Sequence, residues 1–256
     1  MKLKKIVKHT NGVRHQINLK KDLLSKYNTI VKNLLEYKRC NGGRNFYGRI
    51  TVRHKGSGHK KMSHKFSNFD SQYSLIIKKM YNPKTNTFVS LNFNLKQNTF
   101  FKSVSLKNSY PGSLFESKKI LGDYKLGNFT LLKNLATGTI ISLIALKKKI
   151  SLAKSAGSFC QILEKKGQRI KIKTPSGKII SVDNSSIGTI GTVDNSLNKL
   201  TVIGKAGRNR LKGLRPSVRG IAMNPVDHPH GGKSNKGMQP VTPWGLPTKN
   251  IKTRKL

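Results

Sequence analysis

Apolar and polar positions along this chain fall into several distinct patterns. From Tyr73 to about Leu106, short β-branched and aromatic runs at Ser74–Met80, Thr87–Asn94 and Thr99–Leu106 predict strands, and Asn82-Pro83-Lys84-Thr85-Asn86 predicts a turn between the first two. This is the pattern of a small antiparallel barrel. Pro111-Gly112 and the loop to about Asp123 read as a linker. A second set of strands is predicted at Gly127–Leu132, Thr139–Ala145, Phe159–Leu163, Gln168–Ile172, Ile179–Asp183, Gly188–Val193 and Leu200–Ile203. Their spacing of about ten residues, with Gly-bearing turns, suits a compact all-β barrel. Thr174-Pro175-Ser176-Gly177 has Pro second and Gly fourth, which suits a type I turn. Ahead of the first barrel, one short strand is predicted at Arg49–Arg53 within a Gly-rich basic segment. Still earlier, Leu23, Leu24, Tyr27, Ile30, Val31, Leu34 and Leu35 have helical spacing and predict a short amphipathic helix over Asp22–Lys38 that docks on a partner.

From Gly204 onward the pattern is lost. Six of the nine prolines lie there, apolar residues are scattered, and proline removes the N–H groups that helices and ladders need. This segment is expected to form no core of its own and to take its shape as an extended arm on folded RNA.

Charge narrows the reading. The chain of 256 residues carries 51 Lys+Arg against 9 Asp+Glu, a net charge of +42. A molecule so charged repels itself and calls for a polyanionic partner. Only 11 of the basic residues are arginine, and eight of these fall in two windows, Arg39, Arg44, Arg49, Arg53 and Arg208, Arg210, Arg215, Arg219. Arginine's planar fork binds phosphate bidentately and stacks on bases, so clustering it marks places where geometry matters. No acidic residue lies between Asn41 and Phe69, and from Ser196 to the end Asp227 stands alone against thirteen Lys+Arg.

Cys40 and Cys160 are too few for a disulfide framework or a metal knuckle, and a reducing compartment is expected. The longest apolar run, Ile140–Leu146, falls far short of the ~20 residues of a membrane-spanning helix, so no membrane span is expected. The N-terminus is basic without an apolar segment and Lys-rich rather than Arg- and Ser-rich, so neither a secretory signal nor a transit peptide is expected.

Several segments carry candidate chemistry. In Gly42-Gly43-Arg44-Asn45-Phe46-Tyr47-Gly48-Arg49, glycines between arginines let the backbone approach an anion closely. Phe46 and Tyr47 either stack on unpaired bases or fill the barrel core. Gly56-Ser57-Gly58 is followed by His59-Lys60-Lys61, with no helix pattern and no acid for a ribose, which excludes a dinucleotide loop. His54, His59 and His64 sit in basic surroundings that repel a cation, so no metal site is expected, and RNA contact or a plain surface histidine is the better reading. In Lys205–Pro216 basic residues stand two or three apart, a spacing that fits an extended chain between RNA helices rather than an amphipathic helix. Asp227-His228-Pro229-His230 invites an acid–base reading, but no Ser or Cys nucleophile accompanies it. A non-specific DNA-compacting role needs charge alone, and the second barrel and the arginine clusters are more specific than that.

The segments GGRNFYGRITVRHKGSGHK, LAKSAGS, VIGKAGRNRLKGLRPSVRGIAMNPVDHPHGG and VTPWGLPTK closely resemble those of the universal family of large-subunit ribosomal protein L-two, over roughly residues 41–256. The resemblance implies an all-β chain: an OB-fold barrel followed by a Src-homology-3-like barrel, with a basic N-terminal extension and an extended basic C-terminal tail. The corresponding division is 1–40 extension, 41–118 OB-fold RNA-binding domain, 119–203 Src-homology-3-like domain and 204–256 RNA-penetrating tail. It implies a non-enzymatic constituent of the large ribosomal subunit without cofactors. Its partners would be large-subunit ribosomal RNA, neighbouring ribosomal proteins and the small subunit across the intersubunit face, and it would support the peptidyl-transferase centre. Direct acid–base participation of His228 or His230 is the alternative. Expected RNA contacts are Arg44, Arg49, Arg53, His54, Lys55, His59, Lys60, Lys61, Lys205, Arg208, Arg210, Lys212, Arg215, Arg219, His228, His230, Lys233 and Trp244. The family usually continues Gly-Glu-Gly-Arg after Gly231-Gly232, where Lys233-Ser234-Asn235-Lys236-Gly237 stands here. The lysine- and asparagine-rich composition points to a mitochondrial ribosome, with plastid or bacterial cytoplasmic ribosomes as alternatives.

Overall fold

A computed structural model describes residues 2–7, 10–21, 24–25, 32–37, 40–66, 73–116, 125–146, 149–233 and 237–249. They fall into two compact units, Met1–Arg39 with Lys60–Lys205, and Cys40–His59 with Ala206–Leu256. In chain order the first unit carries β1 (Leu3–Lys5), β2 (Ile17–Leu19), β3 (Leu35–Tyr37), β4 (Met62–His64), β5 (Tyr73–Tyr81), β6 (Phe88–Asn94), β7 (Thr99–Val104), β8 (Leu114–Glu116), β9 (Phe129–Leu131), β10 (Ile140–Leu146), β11 (Lys149–Leu152), β12 (Cys160–Lys166), β13 (Arg169–Lys173), β14 (Ile179–Asp183) and β15 (Ile187–Ile190). The protein is all-β, an OB-fold sheet followed by a Src-homology-3-like barrel.

The OB sheet has the order β7-β6-β5-β8. Its alternation decides its faces. Val89, Leu91 and Phe93 of β6 lie on one side, and Ser90, Asn92 and Asn94 on the other. The polar side is buried too and makes its own bonds: Ser90 Oγ is 2.8 Å from Ser103 Oγ, which also accepts from Asn92 Nδ2 at 2.8 Å. The predicted turn is present, with Asn82 N–H donating to the Thr87 carbonyl and Asn86 in the left-handed region at φ 57°.

The Src-homology-3-like barrel follows the order β14-β13-β12-β10-β15-β9, with β11 on β10. In β13, Ile170 and Ile172 point inward while Arg169, Lys171 and Lys173 stay in water. With Leu132, Leu135, Ile141, Ile144, Cys160, Ile162 and Val182 they form the core. Burial there pushes the Cys160 thiol up to about 11, which leaves it an inert core residue. The two barrels meet through Leu106, Leu143 and Val193, all nearly fully buried, and through an ion pair between Lys79 Nζ and Asp194 Oδ2 at 2.9 Å.

Four sequence expectations are corrected. Over Asp22–Lys38 the described residues form a 3-10 turn at Lys32–Leu34 and then β3, which pairs with β4; residues 26–31 lie outside the described residues. Long-range pairing outweighs a weak local period there. The expected linker from Pro111 contains β8, because the Tyr110–Ser113 turn reverses the chain onto β5, and the rest to Asp123 lies outside the described residues. Leu200–Ile203 is no ladder strand: a 3-10 turn ends at Leu200 and Val202 makes one isolated bridge to Ile17. The strand at Arg49–Arg53 is likewise replaced by a hairpin loop, described below.

His64, buried at the end of the β3–β4 pair, has its ring held down to about 4 first by burial and then by the neighbouring charge of Lys102, against an opposing backbone hydrogen bond at Tyr81. Between about pH 4 and 6.5 the unfolded chain binds a proton there that the folded chain does not, so stability rises with pH across that window. Acidification from pH 7 to 4.5 is expected to lower the unfolding free energy by up to about 3 kcal/mol from this group, read as a lower urea midpoint. His64→Gln will remove that part of the slope.

Candidate nucleic-acid interface

The second unit has no apolar core: among its described residues only Gly42, Gly43, His228 and Gly231 are buried. Its form comes from backbone hydrogen bonds and glycine. At Asn41–Val52 the chain folds into a hairpin loop. The Gly43 carbonyl accepts the N–H groups of Thr51 and Val52 at 2.9 and 3.0 Å, Asn45 N–H donates to the Arg49 carbonyl at 2.9 Å, and Gly48 N–H to the Asn45 carbonyl at 3.1 Å. Gly43 is confined: a Cβ there would lie 2.2 Å from the Val52 carbonyl oxygen. Phe46 and Tyr47 at the tip are 87% and 74% exposed, so neither fills a core.

The following residues pair with the tail. Gly56 N–H donates to the Gly213 carbonyl at 2.8 Å, His59 N–H to Leu211 at 2.9 Å, and Arg215 N–H to His54 at 3.1 Å. A Cβ on Gly58 would be 2.8 Å from both Gly213 N and the Leu211 oxygen, so only glycine permits this approach. Arg44, Arg49 and Arg53 of the first window and all four arginines of the second, distant in sequence, thereby enter one unit.

Ala206–Leu211 forms a short helix, α1, where the basic spacing predicted an extended chain. Its end explains why. Leu214 N–H bonds to the Asn209 carbonyl at 3.1 Å and Gly213 N–H to Arg210 at 3.0 Å, with Gly213 at φ 93°. This is the Schellman closure that a Lys-Gly-Leu sequence supports. Further along, His228 is buried. Its Nδ1 accepts the His230 N–H at 3.0 Å, and its ring packs on Gly220, where a Cβ would lie 2.5 Å from Nδ1. His230 Nε2 lies 2.9 Å from the Gln239 carbonyl and 3.2 Å from the Val241 nitrogen. The Arg53 guanidinium stands over the Trp244 ring, 5.0 Å from its centroid.

Arg44, Arg49, Arg53, His54, Lys55, His59, Arg210, Lys212, Arg215, Arg219, Lys233 and Trp244 are exposed in this unit, Arg208 and His230 half-buried, and His228 enclosed. Lys60, Lys61 and Lys205 belong to the first unit, with Lys60 and Lys205 exposed. Asp227 is the single acid in the second unit's sequence, so its charge cannot be balanced internally. Among the described residues no cluster of His, Cys, Asp or Glu could hold a metal ion, and no helix is long and apolar enough to cross a membrane. The backbone pairing of 54–59 with 211–216 escaped the sequence reading; its signal was the matched glycines Gly56, Gly58 and Gly213.

OB-fold and Src-homology-3-like barrels, with a core-free basic unit held in shape by glycine, define an RNA-binding protein of the ribosomal class. Comparison makes this specific. Residues 31–109 match the family described as Ribosomal Proteins L2, RNA binding N-terminal domain, and residues 125–245 match Ribosomal Proteins L2, C-terminal domain. The chain is 38% identical over 267 residues to large ribosomal subunit protein uL2 of Ehrlichia chaffeensis, covering 100% of this chain and 94% of that protein. It is 39% identical over 231 residues to the protein of that name from Wolbachia pipientis, covering 88% and 84%. The protein of that name from Alcanivorax borkumensis is 41% identical over 236 residues, covering 86% and 83%. The chain belongs to the ribosomal protein L2 family.

Proposed function

We propose that the chain is a structural constituent of the large ribosomal subunit that binds large-subunit ribosomal RNA and has no catalytic role of its own. One observation carries this reading: Arg44, Arg49 and Arg53 of the first arginine window and the whole second window lie in a unit that buries no apolar side chain among its described residues. A polyanion is the partner that complements such a surface. The eighteen side chains expected at RNA serve this role, together with the functional division 1–40, 41–118, 119–203 and 204–256. The protein further contacts neighbouring ribosomal proteins and the small subunit, and supports the RNA architecture of the peptidyl-transferase centre. A structural role for the tail histidines is supported by His228 Nδ1, which is already committed to the His230 N–H and so is not free as a base. We place the protein in a mitochondrial ribosome on its lysine- and asparagine-rich composition, with plastid and bacterial cytoplasmic ribosomes as the alternatives; the bacterial relatives favour the last.

Tagged chain expressed in its source cells should co-sediment with large subunits through a high-salt sucrose gradient. Recovery only at the top of the gradient would refute the assignment, and running the gradient on isolated organelles and on cytosol separates the compartments.

A further inference from the structure

The strongest unassigned feature is the ring pair at the hairpin tip of the second unit. Phe46 and Tyr47 are its two most prominent apolar side chains at one spot, with ring centroids 3.8 Å apart and planes 37° from parallel. Both are mostly in water. The loop fixes them there. Gly48 N–H donates to the Asn45 carbonyl, Arg49 N–H donates to Asn45 Oδ1 at 3.0 Å, and Arg44 bridges Ile50 across the hairpin. Gly48, at φ 81°, supplies the left-handed residue that three-residue hairpin loops require. Phe46 and Tyr47 therefore stand exposed at the tip of a closed turn. Each ring covers one face of the other and leaves its second face open.

A solvent-exposed aromatic pair is unusual unless something covers it. Its neighbours decide what. Arg44 and Arg49 flank the pair and are exposed, and the sequence from Asn41 to Phe69 has no acid. A protein partner would meet uncompensated cations here; an RNA strand brings phosphates for the arginines and flat bases for the rings. We infer that the Phe46–Tyr47 tip is a stacking platform for unpaired RNA bases, with Arg44 and Arg49 holding the adjoining phosphates. This rests on the RNA-binding reading above and adds a preference to it: the tip recognises single-stranded rather than duplex RNA.

The test uses the full chain with two probes, an oligouridine of about 20 nucleotides and an RNA duplex of about 20 base pairs. Phe46→Ala/Tyr47→Ala should weaken oligouridine binding about tenfold or more and leave duplex binding within about twofold. The log–log salt slope on oligouridine should not change, since no charge is removed, whereas Arg44→Gln/Arg49→Gln should lower it by about 1.4. Phe46→Trp/Tyr47→Trp should bind like the parent, and Phe46→Leu/Tyr47→Leu like the alanine pair, which separates stacking from mere apolar bulk. Unchanged oligouridine affinity in the alanine pair, or recovery in the leucine pair, overturns the platform while leaving RNA binding intact. Normal oligouridine binding with lost incorporation into large subunits overturns it in favour of a protein contact. Absence of salt-dependent binding of the parent chain to either probe defeats the RNA reading itself.

Discussion

Replacing Arg44, Arg49, Arg53, Arg208, Arg210 and Arg215 together with glutamine will flatten the salt dependence of binding to large-subunit ribosomal RNA by about 4–5 in log–log slope. The magnitude follows from counterion release, about 0.7–0.9 per phosphate neutralised. Binding at physiological salt will fall by orders of magnitude. The effect is expected to be this large because the six side chains act in one unit. Pairing of 54–59 with 211–216 brings both sets together, and Asp227 is the sole acid in that unit's sequence. The control is an equal number of glutamines at Lys165, Lys166, Lys171, Lys173, Lys178 and Lys199 of the Src-homology-3-like barrel. Two of these, Lys166 and Lys171, already share Glu164 at 2.8 Å each, and their hydrogen bonds hold its carboxyl down to about 2. Filter binding over a salt series measures both variants. Equal slopes for the two sets would mean that charge is read diffusely and that the arginine unit has no special place.

Asp194→Ala is expected to cost about 3–5 kcal/mol of stability, because it strands the Lys79 ammonium where the two barrels meet. The Lys79 and Asp194 side chains are only 9% and 15% exposed, and among the described residues Lys79 Nζ also donates to the Leu106 carbonyl at 3.4 Å and lies 5.9 Å from the Tyr110 ring centroid. Asp194 also accepts its neighbour Asn195's N–H at 2.7 Å. Substituting both partners, Lys79→Met with Asp194→Leu, should recover most of the loss, since apolar replacement of a buried pair is often near neutral. Urea unfolding followed by circular dichroism reads each variant. A loss below about 1 kcal/mol for Asp194→Ala would place this pair with exposed ion pairs and leave the join to Leu106, Leu143, Val193 and the hydrogen bonds beside them, such as Asp194 N–H to the Ser105 carbonyl at 3.0 Å.

Much of the fold was legible because strand signals are local. β13 alternates Ile with Lys and Arg, the Asn82–Asn86 and Thr174–Gly177 turns use residues that suit left-handed or proline-compatible positions, and the predicted strands of both barrels, Leu200–Ile203 apart, fall within a few residues of those observed. The misses share a cause. β1, β3, β4 and β8 are three residues each, too short to express a period, and their pairing depends on partners far along the chain. The helix expected over Asp22–Lys38 rested on spacing alone, which β3 overrides in its described part. Conversely α1 was missed because its six residues carry no amphipathic stripe; its Gly213 stop signal, not its surface, specifies it.

The candidate interface divides the same way. Charge, the arginine clusters and the shortage of apolar residues after Gly204 were set by the sequence by itself, since composition requires no partner to be read. It likewise restricted Phe46 and Tyr47 to two environments. Only the tertiary structure chose water over core for those rings, enclosed His228, and joined Arg44, Arg49 and Arg53 to the second arginine window. The reason is physical: backbone-to-backbone bonds such as Gly56 to Gly213 carry almost no side-chain signature, and a glycine declares its partner only when that partner's atoms stand where a Cβ would be.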